Sequence, residues 1–595
     1  MPRRLIADIE ADGLLDTITQ VHCLAAVDVD TGEAFDFKPW ELGEGLELLS
    51  KADIILAHNG IGYDFPALEK IKGFKVPAEK QRDTLVMSRL IHPNLMDTDG
   101  DLVRRGVLPG KLHGSHSLKA WGHRLDKHKI DFDGPWDVWS EEMHYYCKKD
   151  IETNLALYQH LNPDAYSQPS LELEHRIARL CEFMTNEGWP FDREKATNLH
   201  ALLIGEQAKL RNELVEEFGS WRELEREFIA KRDDKKRGRV KGELVQVFKT
   251  VEFNPGSRQH IFKQLQLLGW RPSVFTEGGQ PKVDEDILAS LETKFPQAAK
   301  LTRYLMLEKR LGQLAEGKNA WLQLVTPEGK IHGSYNPNGT VTGRASHRSP
   351  NLSQVPAHGP YAKECRELFH VPKGWKQVGV DFSGLELRCL AHYLHPIDQG
   401  AYAEVILDGD VHSYNQKAAG LPDRNTAKTF IYGWLYGAGA ERIGKIVGGS
   451  KARGRELTEQ FLKSVPAVKT LKTKVAHNVS VASELRGLDG RRLPIRSEHS
   501  ALNTLLQSAG AVLCKQWLVD SYDALVREGF KPGWSGDFTF LGWIHDEVQI
   551  AVREGLEEEA GRIVTECATR AGEPYNFRVR LDSEFKIGTN WSECH

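Results

Sequence analysis

Arg424-Asn425-Thr426-Ala427-Lys428-Thr429-Phe430-Ile431-Tyr432-Gly433-Trp434-Leu435-Tyr436-Gly437 is the stretch around which the rest of the chain is read. Its Arg, Lys and two Tyr recur at i, i+4, i+8 and i+12, so a helix presents Arg424, Lys428, Tyr432 and Tyr436 as one slowly turning stripe. Two cations followed by two flat phenols suit a nucleoside triphosphate: the cations meet phosphates, the rings meet sugar and base. Taken alone, the spacing also fits an amphipathic core helix with two snorkelling cations. Carboxylates on both sides of the stripe take the reading further.

VGVDFSGLELRCLAHY (378–393) begins β-rich, turns at Ser383-Gly384 and continues as a helix, which sets Asp381 at a strand end. LGWIHDEVQIAV (541–552) reads as two short strands joined at His545-Asp546-Glu547, where a tight turn projects Asp546 toward a neighbouring strand. The two carboxylates are distant in the chain and share metals only if the fold joins them.

Near the start, Asp8 and Glu10 lie two apart in the strand LIADIE and so point to one face. AHNGIGYDFPAL supplies Asp64 at a loop-to-helix start, and HYYCKKDIETN supplies Tyr146 and Asp150, four apart on one side of a helix. Singly, each acid is more often a surface residue than a ligand. As an ordered set, four acids and a phenol suit two hard cations roughly 3.5–4 Å apart on a phosphodiester, one activating water and one stabilising the leaving oxygen.

At 595 residues the chain exceeds one hydrophobic core, and 40% apolar with 27% charged residues reads as soluble, globular and multidomain. No apolar run reaches the ~20 residues of a membrane span, and MPRRLIADIEADG lacks the apolar core of a signal peptide. Eight scattered cysteines with no C-x-x-C pair argue against a zinc site or a disulfide framework and fit a reducing cytosol. A net charge of −5 does not advertise nucleic acid, yet phosphate contact needs only a local basic groove. KRDDKKRGRVK (231–241) is one such patch, read as a solvated loop or as an arm touching duplex phosphates.

Strand-like runs alternate with helices to about residue 165, giving an α/β domain. Residues from about 170 to 320 read as mostly helical, including LELEHRIARLCEFM and RNELVEEFGSWRELEREF, and an α+β pattern follows. GAERIGKI (439–446) nearly spells a phosphate-binding loop, but Ile446 has no hydroxyl and no strand precedes it. HGSH (113–116) has no acid or cysteine set nearby and reads as an ordinary loop.

In this order the stretches around Asp381, Arg424 and Asp546 resemble motifs A, B and C of family A (bacterial polymerase I-like) DNA polymerases. The likeness extends through TGRASHRSPNLSQVP, GDVHSYNQ, GLDGRRLPIRS, ALNTLLQSAGAVLCK and NWSECH. The N-terminal acids, with SHSLKAWGHRL, resemble a 3′→5′ proofreading exonuclease of the DEDD type with tyrosine. The whole is most similar to replicative polymerases of T-odd bacteriophages.

The resemblance implies a ribonuclease-H-like exonuclease at 1–165, a linker at 166–190 and a right-handed polymerase. Its thumb would be 191–315 with a short basic insertion near 222–252, its palm 316–393 and 503–595, and its fingers 394–502. Asp381 and Asp546 would ligate two magnesium ions with the Phe382 carbonyl, and Glu547 would support them. Arg424, Lys428 and His412 would hold the triphosphate, while Glu386 beside Tyr432 would exclude a ribose 2′-hydroxyl. Tyr436 would stack near the templating base, and Arg344, Asn503 and Gln507 would reach the minor groove, internal hydrogen bonds being the alternative for these three. Asp8, Glu10, Asp64 and Asp150 would hold two further ions, Mg2+ or Mn2+, with Tyr146 orienting the water.

The implied partners are primer-template DNA, dNTPs, a helicase–primase and a single-strand-binding protein. The expected setting is the cytoplasm of an infected bacterium, and the chain is expected to be a monomer with no membrane contact. Relatives that recruit host thioredoxin carry a large insertion between FGSW-like and FNPGSR-like segments. Here Trp221 and Phe253 are separated by roughly thirty residues, too few for that subdomain. A repair polymerase, a chiefly nucleolytic enzyme, a single-subunit RNA polymerase and a non-catalytic scaffold are the competing readings; Glu386 and the nuclease motifs argue against the RNA polymerase, and the two intact carboxylate clusters against the scaffold.

Overall fold

The computed structural model describes residues 2–127, 131–233, 236–276 and 278–595. The chain divides into two compact units: Met1–Trp189 with His332–His358 and Phe369–His595, and Pro190–Ile331 with Gly359–Leu368.

The first unit opens with a five-stranded sheet. Its strands are β1 (Arg4–Ala11), β2 (Val21–Asp28), β3 (Ala34–Phe37), β4 (Ile54–Ala57) and β5 (Gln81–Asp83), in the order β3-β2-β1-β4-β5. β1 runs antiparallel to β2 and parallel to β4, and β4 is parallel to β5. Period-two alternation sorts β1. Leu5, Ala7 and Ile9 join a core with Phe65 and Leu68 of α1 (Asp64–Lys72), whereas Ile6 joins a core on the opposite side with Cys147 and Ile151. Asp8 and Glu10 share the parity of Ile6.

Its further helices include α2 (Thr84–Ile91), α3 (Glu141–Leu161) and α4 (Gln168–Glu187). α4 fills most of the stretch expected as a linker, 166–190. It is capped by Ser167, contributes Leu171 and Ala178 to the two cores, and buries Glu174 completely. Glu174 Oε1 accepts from Lys515 and, at 2.7 Å, from Arg491, which also pairs with Asp489. Burial pushes Lys515 down to about 8. A buried charge deprived of its partners is strongly destabilising, so this network ties α4 to the C-terminal half of the unit.

The second unit contains α5 (Arg193–Phe218), β6 (Ser220–Ile229), β7 (Leu244–Glu252) and α6 (Gln297–Leu311). Leu214, Phe253, Leu301 and Leu305 lie in its core. Here the expected continuous helix over RNELVEEFGSWRELEREF is wrong. α5 stops at Phe218 because Gly219 adopts φ 64, ψ −144, and β6 then pairs antiparallel with β7. Glu, Arg and Leu favour helices weakly, and pairing with VQVFKTV overrides them. The basic stretch 231–241 lies between these strands, where Lys241 N donates to Asp233 (2.8 Å); Asp234 and Lys235 lie outside the described residues.

The C-terminal part of the first unit includes β8 (Trp375–Phe382), α7 (Leu385–Asp398), α8 (Val411–Ala419), α9 (Arg424–Leu435), α10 (Glu498–Arg527), β9 (Phe538–Ile544), β10 (Glu547–Arg553), α11 (Glu557–Arg570) and β11 (Ser583–Gly588). Its four-stranded antiparallel sheet has the order β9-β10-β8-β11. β9 and β10 are almost wholly buried; β9 is mostly apolar, whereas β10 buries Glu547 and Gln549 among apolar residues. α10, thirty residues long, packs against α11 and is buried along most of its length. GAERIGKI holds a short helix, Ala440–Ile446, which follows α9 rather than a strand.

Candidate active sites

The register between β8 and β10 builds the larger site. Asp381 pairs with Glu547, and Phe382 N donates to the Asp546 carbonyl at 3.1 Å. Asp546 lies in a two-residue hairpin turn, because Ile544 pairs with Glu547 and His545 takes φ 59. Trp543 Nε1 pins this turn by donating to the His545 carbonyl (2.8 Å). After Asp381 the chain reverses at Gly384 (φ 60) into α7, and Arg388 Nε braces the bend on the Ser383 carbonyl (2.7 Å). Two carboxylates remote in sequence are thereby neighbours on one sheet edge.

They line a cleft of about 610 Å³ together with Arg344, Phe382, Glu386, Lys428, Tyr432 and Tyr436. The Phe382 ring is turned away, buried edge-on against Trp517 (4.8 Å). Burial, then the charges of Asp546, Glu547 and Glu386, push Asp381 up to about 8, although its carboxylate opens on the cleft. Burial, then Glu386, push Asp546 up to about 6. The site holds more negative charge than its own side chains neutralise, which is the condition a cation relieves.

α9 supplies the opposite wall. Tyr432 and Tyr436 are stacked at 6.5 Å, and His412 of α8 lies 6.1 Å from the Tyr432 ring. Burial, then Glu386, Asp546 and Asp381, push Tyr432 up to about 12. Lys428 is exposed, and Arg424 Nε donates to Asp410 at 2.7 Å. Glu386 is held twice, by the Tyr436 hydroxyl (2.7 Å) and by Arg344 (3.3 Å), whose guanidinium also lies over the Tyr436 ring (5.8 Å). Asn503 donates to the Leu435 carbonyl at the end of α9, and Gln507 donates to Asn503 (3.0 Å). The internal hydrogen bonds considered for Arg344, Asn503 and Gln507 are therefore present in this structure.

The N-terminal acids form a second cluster. Asp64 is the first residue of α1, and its Oδ1 accepts from Ile9 N (3.3 Å), which ties it to β1 beside Asp8 and Glu10. Burial pushes Asp64 up to about 7, with Asp83 and Asp150 adding to the rise against the hydrogen bond from Ile9. Tyr63 is pushed up to about 12 by burial and then by Asp64, Glu10, Asp12 and Asp8. Asp150 is buried on α3, and the Tyr146 ring packs beside Phe132 (5.8 Å) and Trp136 (6.0 Å).

Asp83, Cys147 and the partners that hold Glu547 escaped the sequence reading. Asp83 caps α2 and also accepts from the amides of Asn59 (3.0 Å) and Ile61 (3.1 Å), holding the loop that delivers Asp64; D-T-L before an apolar run was its only signal. Glu547 accepts from Trp591 (2.7 Å) and Gln549 (2.7 Å) and contacts His595 Nδ1 (2.7 Å). Burial raises Glu547, but His595 and these hydrogen bonds outweigh it and hold the group below its ordinary value. Cys147 lies against Asp8, with Sγ 3.7 Å from Oδ2.

Comparison with known proteins agrees with this geometry. The profile of DNA polymerase family A matches residues 226–593. A DNA-directed DNA polymerase of Enterobacteria phage T3 is 40% identical over 706 aligned positions, covering 99% of this chain and 100% of the relative. One from Escherichia phage T7 shows the same identity and coverage. Those alignments are longer than the 595 residues here, so both relatives carry residues that this chain lacks. Among solved structures, the POL domain of Pol1 from M. smegmatis in complex with DNA primer-template and dNTP has the same fold. Its TM-score is 0.74 at 19% identity, covering 100% of this chain and 96% of that one. By its profile match and its near-full-length identity to these relatives, the chain belongs to DNA polymerase family A.

Proposed function

We propose that this chain is a DNA-directed DNA polymerase that extends a primer 3′-hydroxyl with dNTPs and trims mispaired ends with a 3′→5′ exonuclease of its own. The observation that carries the reading is the β8–β10 register, which sets Asp381 and Asp546 on one cleft floor facing Lys428 and Tyr432. Their raised pKa values fit a pair built for divalent cations, Mg2+ or Mn2+. Bound there, two such ions would make the primer hydroxyl a better nucleophile and neutralise charge at the α-phosphate.

The remaining roles belong to side chains. Lys428, Arg424 and His412 line up on the triphosphate, with Arg424 exchanging Asp410 for phosphate oxygens. Tyr432 with Glu386 closes the space of a ribose 2′-hydroxyl, so deoxynucleotides are preferred. Tyr436 flanks the templating base. Arg344, Asn503 and Gln507 turn from their internal bonds to minor-groove acceptors when duplex is bound.

In the N-terminal sheet, the order β3-β2-β1-β4-β5 supports a ribonuclease-H-like nuclease. Asp8, Glu10, Asp64 and Asp150 would hold its two ions, and Tyr146 would orient the attacking water. The second unit would act as thumb. Its short hairpin leaves no room for a large thioredoxin-binding insertion, so processivity rests elsewhere. The enzyme would act as a monomer in an infected bacterial cytoplasm, with a helicase–primase and a single-strand-binding protein as partners; the phage origin of its relatives supports the setting.

The test is a labelled primer-template ending in a mispair, incubated with Mg2+ and four dNTPs and resolved over time. Trimming followed by full-length extension is expected. Degradation without extension overturns the polymerase reading, and extension of matched primers without trimming overturns the nuclease.

A further inference from the structure

In the second unit, β6 and β7 form a sheet of two strands that no third strand joins. A bulge between Leu224 and Arg226 keeps Leu224 and Ile229, five apart, on one face with their cross-strand partners Phe248 and Leu244. Leu224 and Phe248 are 45% and 43% exposed, and Ile229 and Leu244 are 64% and 60% exposed. A lone two-stranded ribbon is marginal in water, and an uncovered apolar face marks a place where something docks.

The far end of the ribbon is basic. Residues 231–241 hold seven cations against two acids, which leaves +5 in a chain whose net charge is −5. Among the described residues, Lys231, Arg232, Lys236 and Lys241 are exposed and none of them takes part in an ion pair. Elsewhere this unit pairs its charges: Lys263 with Glu223 (2.7 Å), Lys300 with Glu217 (3.2 Å) and Arg303 with Glu206 (2.7 Å). Gly238 (φ 61) and Gly242 (φ 93) turn the chain here in open space, with no neighbouring atom within 4 Å of where a Cβ would stand.

Uncompensated positive charge at the end of a two-stranded ribbon matches duplex DNA. The major groove, about 12 Å wide, admits such a ribbon, its walls carry one charge per ~1.7 Å of axis, and thymine methyls on its floor accept apolar side chains. We propose that β6–β7 is an arm that enters a groove of the primer-template duplex, with Lys231, Arg232, Lys236 and Lys241 on its phosphates. The arm rests on the polymerase reading for its ligand, and it holds the enzyme on the duplex being extended. Its phosphate contacts carry no sequence information.

Full-length wild type and the quadruple variant Lys231→Gln/Arg232→Gln/Lys236→Gln/Lys241→Gln are titrated by fluorescence anisotropy against a labelled primer-template and, separately, its single template strand, over a range of KCl. Each lost phosphate contact lowers the slope of log K against log salt by about 0.9. The quadruple variant should therefore show a duplex slope shallower by about 2–4 and bind duplex at least about tenfold more weakly near 0.1 M salt. Single-strand binding should change far less. Lys51→Gln/Lys72→Gln/Lys75→Gln, which removes exposed cations from the first unit, should keep the wild-type slope. Thermal unfolding checks the fold; if the quadruple variant melts early, Lys236→Gln/Lys241→Gln must lower the slope by about half as much. An unchanged duplex slope overturns the inference and leaves the apolar face to a protein partner. An equal fall on the single strand, or in the first-unit control, overturns it too. Wild type that extends no primer refutes the polymerase reading instead, and the duplex slopes then decide the arm alone.

Discussion

Replacing Asp381 with Asn should abolish primer extension and yet make the metal-free protein more stable. The folded-state pKa of Asp381, about 8, lies above its ordinary 3.8, so it is the ionised form that costs the fold. That cost is absent below about pH 4, grows as pH rises, and is complete above about pH 8. Fully desolvated, the difference would be roughly 5–6 kcal/mol at 1.36 kcal/mol per tenfold. The carboxylate opens on the cleft, and solvent screening reduces this to about 1–2 kcal/mol. In EDTA at pH 8.5, Asp381→Asn should therefore raise the melting temperature of the transition that reports this unit by about 2–5 °C. At pH 4 the two proteins should melt together. Saturating Mg2+ should remove the advantage, because the ion stabilises only the wild-type carboxylates. Differential scanning calorimetry across pH, with and without EDTA, provides the assay. A variant less stable than wild type at pH 8.5 in EDTA, or a gain that does not depend on pH, would refute the reasoning that Asp381 is an electrostatically strained ligand.

Other outcomes follow from single contacts. Tyr432 stands where family A polymerases carry Phe or Tyr, and that resemblance implies that Tyr432→Phe should increase discrimination against dideoxynucleotides, measured as the ratio of dNTP to ddNTP incorporation efficiency, while matched dNTP extension changes little. His595→Ala removes the Nδ1 contact of buried Glu547 and should slow extension by about tenfold, a loss of roughly 1–2 kcal/mol in single-turnover assays, with trimming unchanged. Gly219→Ala forces a side chain into φ 64 at the helix-to-strand switch and should destabilise the second unit by about 1–2 kcal/mol, read by thermal unfolding.

Local signals carried much of this architecture. The two-residue alternation in LIADIE set Asp8 and Glu10 on one face, and the four-residue spacing of Arg424, Lys428, Tyr432 and Tyr436 is met by α9, with Tyr436 just past its end. The turn between two apolar runs at His545-Asp546 was equally legible, since a two-residue hairpin follows from local chemistry. What joins Asp381 to Asp546 was not. Strand register between distant segments depends on the packing of the whole sheet, and no local pattern encodes it. β6 was misread for a related reason, because Trp221–Phe228 has helical propensity and only its partner strand β7 makes it extended. Glu174, Arg491 and Lys515 look like solvent-facing charges on amphipathic helices and turns, yet all three are buried, with Glu174 Oε1 meeting both cations. Cys147 was passed over because an isolated cysteine carries no spacing signal, and only the packing of α3 on β1 brings it to Asp8.

The central claim is that two separate carboxylate sites perform synthesis and trimming. Asp546→Asn and a paired Asp8→Asn/Glu10→Gln variant, each given a mispaired and a matched primer-template, test it most directly. Asp546→Asn should trim the mispaired primer at the wild-type rate and extend the matched one at least about a thousandfold more slowly. The paired variant should do the reverse, extending matched primers normally and leaving the mispair untrimmed. Extension by Asp546→Asn within tenfold of wild type, or loss of both activities in either protein while its fold is intact, would contradict the account.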